Sequence, residues 1–295
     1  MIERPALGYV GIGLMGLPMV KRLVALGFPV RAYDIVPARM EAARALGVRP
    51  ALSPADAARD SEFVMLNLPT TEAVEQAVFG SEGLASALAS PQLVIDFSTV
   101  KVEKGRAFAA KLREMTGCGW VDAPVSGGPP ASGTGTLTVM AGGDLADIAR
   151  VAPVMADLAS RFTHMGPVGA GLVAKMINQM IVGCTHAVLA EALLMAETAG
   201  IDATRIPECL VGGLADGTLL QRLYPRMAAR DFSPQGYARQ LLKDLEMVNE
   251  FAGGLKAPAP MTGEALSLYR MLIHQGFAEL DTSAVFKLYE RTGPR

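Results

Sequence analysis

The run Gly11-Ile12-Gly13-Leu14-Met15-Gly16 constrains the fold of this chain more than any other feature. An apolar stretch, residues 5–10, leads into it and reads as a strand. A stretch with helical periodicity, residues 14–26, leaves it and ends at Gly27, a residue suited to the left-handed stop of a helix. In the order strand, glycines, helix, each glycine has its own duty. The first permits a tight turn, the second lets a ligand approach the backbone, and the third lets helix and strand pack closely. The unpaired N–H groups of the first helical turn face the same spot and suit an anion.

A second apolar strand, residues 28–33, ends on Asp34, close to the roughly 20-residue spacing at which an acidic side chain meets the ribose of a bound dinucleotide. Gly11, Ile12, Gly13, Leu14, Met15, Gly16 and Asp34 are therefore the expected dinucleotide-binding residues. A carboxylate at that place repels a 2′-phosphate, which predicts NAD ahead of NADP. Arg31 and Arg39 are the nearby charges that oppose this preference, and a flavin dinucleotide is the chemical alternative.

Strand and helix then alternate for about 160 residues. Pro37 suits a first helical turn, and Ser53-Pro54 reads as a cap followed by its helix. Strands are expected at 62–68, 93–97, 119–123 and 136–141, with helices at 102–115 and 144–158. Short, strongly apolar strands in this rhythm predict an α/β fold: a mostly parallel sheet covered on both faces, here a Rossmann domain. Such sheets bind ligands at the C-terminal ends of their strands. Leu68, Pro69 and Thr70 follow one strand, and Ser98 and Thr99 another. For Thr70 and Ser98 two readings stand side by side, cofactor contact and helix cap.

After Gly171 the rhythm becomes helical, with stretches at 203–211, 237–251, 263–275 and 283–290. The expected division is 1–166 for dinucleotide binding and 167–295 for an all-helical domain that begins with a long helix. That helix, residues 172–200, is the most apolar segment of the chain. Lys175, Asn178, Gln179, His186, Glu191 and Glu197 suit lipid poorly, so it is expected to lie buried between protein layers, with no membrane partner. Hydrophobic residues at 51% and charged residues at 19% of 295 provide for a sizeable core. A net charge of −2 without basic blocks predicts no nucleic-acid partner. Cys118, Cys184 and Cys209 are expected as reduced core or near-core thiols of a cytoplasmic protein, and the glycine-broken start does not read as a secretory signal. No metal site is expected, and His164, His186 and His274 are assigned to packing.

Two further segments carry candidate chemistry. Asp122-Ala123-Pro124-Val125-Ser126-Gly127-Gly128 reads as a strand followed by a polar, flexible turn. Its amides and the Ser126 hydroxyl suit a small carboxylate, while a plain Gly/Pro turn is the alternative. Lys175 and Asn178 share one face of the long helix, at i and i+3. A lysine among apolar neighbours is costly unless paired or placed at a cleft, where its basicity becomes useful; an interdomain structural lysine is the alternative.

Together these segments make the sequence resemble the 3-hydroxyisobutyrate dehydrogenase, or β-hydroxyacid dehydrogenase, family. The likeness runs through residues 11–19, 96–100, 122–128, 135–143, 169–179, 243–247 and 281–290. The resemblance implies an N-terminal Rossmann domain, a long interdomain helix and an all-helical C-terminal domain, usually as a homodimer or homotetramer. It implies oxidation of a small β-hydroxy acid to its semialdehyde or oxo acid. By motif, Lys175 matches the catalytic lysine and Asn178 the substrate-binding asparagine. Ser126, Gly127 and Gly128 match the carboxylate turn. Lys243 matches a lysine near the nicotinamide and substrate, and Ser98 or Thr99 a cofactor-proximal hydroxyl. Two departures bear on the substrate: Pro129-Pro130 after the turn, expected to stiffen it, and Gln179 where several members have asparagine. The latter resembles tartronate semialdehyde reductases, the alternative activity. Imine reductases and a non-catalytic dinucleotide-binding protein are the other readings; Lys175 argues against the first, and Lys175, Asn178 and Lys243 together against the second.

Overall fold

The computed structural model describes residues 4–290, so the outermost ends of the two expected domains lie outside the described residues. Six strands run parallel: β1 (Leu7–Val10), β2 (Val30–Tyr33), β3 (Arg49–Pro50), β4 (Phe63–Leu66), β5 (Leu93–Asp96) and β6 (Gly119–Asp122). Strands β7 (Val125–Ser126) and β8 (Leu137–Gly142) add antiparallel pairings, and β9 (Ala159–Gly166) pairs parallel with β8. The order is β3-β2-β1-β4-β5-β6-β8-β7, with β9 beside β8. Every side chain of β1, β4 and β5 is buried, which is why these strands read as continuous apolar runs and not as alternating ones. The order reverses between β1 and β4, the place at whose C-terminal strand ends sheets of this kind bind a ligand.

The crossovers are α1 (Gly16–Ala25), α2 (Pro37–Arg44), α3 (Pro54–Ala58), α4 (Thr71–Phe79) and α5 (Val102–Thr116), followed by α6 (Gly128–Thr134) and α7 (Leu145–Leu158). Their ends follow local chemistry. Ser53 caps α3 by accepting from the Asp56 N–H at 3.1 Å, and Pro37 opens α2. Gly117 ends α5 in the left-handed conformation at φ 75°. Apolar side chains of α1, including Met19, Val20 and Leu23, pack with Tyr9, Met65 and Ile95 into one core.

The chain falls into two compact units that divide between Lys175 and Met176, and helix α8 (Ala170–Thr198) runs through the division. The second unit contains α9 (Ile206–Cys209), α10 (Thr218–Ala228), α11 (Ala238–Gly254), α12 (Pro260–His274) and a 3-10 segment, Thr282–Leu288. Its core gathers Leu193, Tyr224, Leu241, Tyr269 and Phe286.

Helix α8 is long and apolar enough to cross a membrane by length and composition, yet its buried polar groups have protein partners. His186 donates from Nδ1 to the Val182 carbonyl at 2.7 Å and meets Thr282 Oγ1 at 3.0 Å, while burial lowers its pKa and keeps the ring neutral. Contrary to the expectation from its composition, the helix is not buried all round. Ile177, Ile181, Val188 and Met195 stand exposed in one stripe. Cys118 is buried and Cys184 half-buried, but Cys209 is exposed, which corrects its placement as a core thiol.

Candidate functional site

The glycine loop joins β1 to α1 at the reversal of strand order. Gly11 has φ +99°, and a side-chain carbon there would overlap the Asn67 carbonyl oxygen. One at Gly16 would overlap the Gly11 carbonyl oxygen, so the first and third glycines are required by the turn and the packing. Gly13 differs: its only neighbour is the tip of Arg39, 3.9 Å from the added carbon. That is the open approach a pyrophosphate requires of the middle glycine. Ile12 is buried beneath the loop, and Leu14 is 36% exposed at its surface.

Asp34 sits immediately after β2 and ties the loop in place. Its Oδ2 accepts from the Ile12 N–H at 2.7 Å and its Oδ1 from the Val36 N–H at 2.8 Å. A carboxylate has about four acceptor positions; these two N–H groups take two, and the other two, met here by long Arg39 contacts, are those that ribose hydroxyls would take. Arg39 lies 3.4 Å from both oxygens with its side chain half-exposed, whereas Arg31 pairs with Asp56. Of the two arginines that oppose an NAD preference, Arg39 is the one at this carboxylate.

The other strand ends resolve in part. The Thr70 hydroxyl caps α4 by accepting from the Ala73 N–H at 3.1 Å. The Ser98 hydroxyl is buried and accepts from the Leu68 N–H at 2.9 Å, tying the end of β4 to that of β5. Both hydroxyls thus have framework duties, while Pro69 is exposed and Thr99 half-buried beside them.

The segment after β6 is not a free turn. Val125 and Ser126 form β7, Gly127 precedes α6 at φ 130°, and Gly128 begins that helix. Pro129 and Pro130 occupy its first turn, where proline is tolerated because the N–H groups would be unpaired anyway. Gly127 and Gly128 follow the half-buried Ser126 directly at this corner.

Lys175 reaches this segment from α8. It is 8% exposed, and its Nζ donates to the Val125 carbonyl at 2.8 Å, the residue before Ser126. The structure therefore brings the expected lysine to the expected carboxylate turn within one unit. Asp122, which sequence reasoning passed over, organises both partners. Its Oδ1 accepts from Gly169 N–H at 2.7 Å and its Oδ2 from Leu172 N–H at 2.9 Å, so it clamps the first turn of α8. Burial pushes its pKa up to about 6, while the backbone N–H groups pull the other way. An aspartate at the C-terminal end of a central strand was the available signal.

In the second unit, Asn178 and Lys243 belong to a single chain of polar contacts. Asn178 Nδ2 donates to Gln179 Oε1 at 2.8 Å, and Gln179 Nε2 to Asp244 Oδ2 at 2.5 Å. Lys243 Nζ lies 3.1 Å from Asp244 Oδ1. Gln179 and Asp244 are both buried. Among the described residues no group of three or more His, Cys, Asp or Glu side chains is placed to hold a metal ion.

Comparison with known proteins agrees with this architecture. Residues 6–166 match the family model described as the NAD binding domain of 6-phosphogluconate dehydrogenase. Residues 169–289 match that described as NAD-binding of NADP-dependent 3-hydroxyisobutyrate dehydrogenase. The chain is 33% identical to a NAD-dependent L-serine dehydrogenase of Pseudomonas aeruginosa, over 97% of this chain and 98% of that one. It is 32% identical to a 2-hydroxy-3-oxopropionate reductase of Escherichia coli, over 96% and 97%. The solved structure of a Mycobacterium tuberculosis 3-hydroxyisobutyrate dehydrogenase with L-serine superposes with a TM-score of 0.86 at 30% identity, covering 98% of this chain and all of that one.

Proposed function

We infer the reaction from one premise: the chain belongs to the 3-hydroxyisobutyrate dehydrogenase family of nicotinamide-dependent oxidoreductases. It is an NAD-dependent enzyme of small β-hydroxy acids, and its substrate is a 3-hydroxypropionate bearing a small substituent at C2. The relatives above point to that shared core, since 3-hydroxyisobutyrate, L-serine and glycerate differ only in carrying methyl, ammonium or hydroxyl at this carbon. 3-Hydroxyisobutyrate is the leading substrate and tartronate semialdehyde, in the reductive direction, the alternative. The observation that carries the reading is the buried Lys175 ammonium held at Val125, one residue before Ser126-Gly127-Gly128.

The open approach at Gly13 and the acceptor capacity of Asp34 fit a dinucleotide, with Gly11, Ile12, Leu14, Met15 and Gly16 completing its loop and Leu68, Pro69, Thr70, Ser98 and Thr99 its outer edge. When bound, NAD supplies the electron-accepting nicotinamide ring. The chain's own residues do the rest. Ser126 Oγ–H and the Gly127 and Gly128 N–H groups hold the substrate carboxylate and so fix the carbinol carbon. Once its Nζ has given up a proton, Lys175 takes the carbinol proton during oxidation and returns it during reduction. Asn178, one helical turn beyond Lys175, orients the hydroxyl, and Lys243 contributes a positive charge near the nicotinamide and substrate. We keep 1–166 as the dinucleotide-binding domain and 167–295 as the helical one, a division supported by where the two family models meet. The exposed Ile177, Ile181, Val188 and Met195 support a homodimer or homotetramer, and the three free thiols a cytoplasmic setting.

A panel of 3-hydroxyisobutyrate, L-serine, glycerate and tartronate semialdehyde, followed at the nicotinamide absorbance with both cofactors, tests the assignment. Turnover of at least one member with a preference for NAD is expected; no turnover of any member would overturn it. Asp34 is the basis for choosing NAD, although the description of the second family model names NADP. Replacing Asp34 by asparagine removes the charge that repels a 2′-phosphate and leaves Arg39 available to meet it. The kcat/KM ratio of NAD to NADP is expected to fall by about tenfold or more, roughly 1.4 kcal/mol. An unchanged ratio would show that Asp34 does not set the preference.

A further inference from the structure

Gln179 marks this chain's departure from family members with two asparagines in the lysine helix. Its added methylene has a visible use, because it carries the amide to Asp244 on α11, 65 positions later in the chain. The contact is short, 2.5 Å, and buried at both ends. Asp244 accepts with Oδ2, so the Gln179 amide must turn its nitrogen toward α11 and its oxygen toward Asn178. That oxygen accepts the Asn178 Nδ2–H at 2.8 Å. The orientation of one carboxamide thereby dictates that of the next, and Asn178 keeps Oδ1 and its second Nδ2–H for other partners. The same aspartate holds the Lys243 ammonium at its other oxygen, at 3.1 Å.

We propose that Gln179 and Asp244 are positioning residues that lock the Asn178 carboxamide in one orientation toward the substrate hydroxyl, whose single proton goes to Lys175, and fix Lys243 from the same carboxylate. The proposal rests on the hydroxyacid dehydrogenase reading. With Nδ2 fixed in this way, its second N–H can donate to the substrate oxygen while that oxygen's own proton goes to Lys175. A freely rotating carboxamide holds no such orientation.

The charged groups around the pair are few. Lys243 lies on Asp244 itself, and Lys175 stands one turn back on α8. The rest of α11 carries Arg239, Glu246 and Glu250. Helix α12, packed against α11, carries Glu264, Arg270 and His274, with Arg270 turned to Glu246 at 3.3 Å. The 3-10 segment Thr282–Leu288 carries Lys287, which pairs with Glu290 at 3.3 Å.

Three substitutions at Gln179 test the lock. Gln179→Leu removes both amide contacts, and Gln179→Asn ends one methylene short of Asp244. Both are expected to lower kcat for the alcohol by about 10- to 100-fold, with the KM for NAD unchanged. Gln179→Glu keeps the shape but needs a proton. Two carboxyl groups at this distance share one at low pH, so the introduced carboxyl can still donate to Asp244 and accept from Asn178. As pH rises the proton leaves and the charges repel. The variant is therefore expected to approach wild-type kcat near pH ~6 and to lose about tenfold or more by pH ~9, relative to wild type at each pH. Thermal midpoints are measured alongside. Variants within about twofold of wild type at every pH would overturn the proposal, as would losses that merely track a falling Tm. If wild-type protein turns over no hydroxy acid, the parent reading fails and this inference with it; if wild type is active and the variants match it, this inference alone fails.

Discussion

Lys175→Ala is expected to lower kcat by about a thousandfold, the middle of the range for losing a positioned acid–base group. The side chain is buried, and its ammonium donates to the Val125 carbonyl at 2.8 Å. A lysine placed there loses solvation and gains a hydrogen bond and proximity to the carboxylate turn. Removing it also removes a positive charge, so a fall in rate alone would not separate proton transfer from electrostatic binding. Lys175→Arg separates them. Arginine keeps the charge but stays protonated at any working pH. If Lys175 is the base, the arginine variant holds substrate with a KM within a few-fold of wild type and still fails to turn it over. NAD binding, followed by calorimetry, is expected to survive in both variants, because the glycine loop and Asp34 do not depend on this side chain. Alanine or arginine variants within about tenfold of wild-type kcat would remove Lys175 from the chemistry.

What the sequence disclosed of this arrangement follows from the range of the forces involved. Strands β1, β4 and β5 are buried on both faces, so burial itself wrote their apolar runs. Ser53 and Thr70 declared their helices through caps acting over three residues. Asp34 was legible because the turn geometry of the glycine loop fixes its distance along the chain. Strand β9 was not, since most of its residues face solvent and only its backbone joins the sheet. Helix α10 hid behind an internal Pro225, a residue that ordinarily argues against a helix. The flexible turn expected after Val125 became the first turn of α6 because prolines at its start cost no hydrogen bond. Lys175 and Asn178 stood out as polar residues on an apolar helix, but Asp122 and Asp244 did not, because their partners lie 47 to 65 positions away.

Asp122→Ala is expected to be the most destabilising substitution in the site, and its cost should depend on pH in a definite direction. The carboxylate satisfies two amides at the start of α8, Gly169 and Leu172, and both bonds are buried. Gly142 and Gly171 make room for it, since a side-chain carbon at either would press on its oxygens. Leaving two buried N–H groups unmet costs about 1–3 kcal/mol each, so a loss of about 2–6 kcal/mol is expected at pH ~7. Burial raises the folded pKa to about 6 from 3.8. The folded protein therefore binds this proton more tightly than the unfolded chain does. The extra stability is fully present below pH 3.8 and is lost as pH rises through 6. The gap between wild type and Asp122→Ala should accordingly be larger at pH ~5 than at pH ~7, by about 1 kcal/mol from the linkage relation. Denaturant melts of the two proteins at both pH values check this, since every other titrating group cancels in the difference. A gap that is flat, or wider at the higher pH, would mean that the backbone N–H groups match or outweigh burial at this carboxylate. Because Lys175 lies within one turn of Leu172, fraying at this end of α8 also moves the lysine away from Val125. The surviving folded fraction of Asp122→Ala is therefore expected to show a reduced kcat with unimpaired NAD binding.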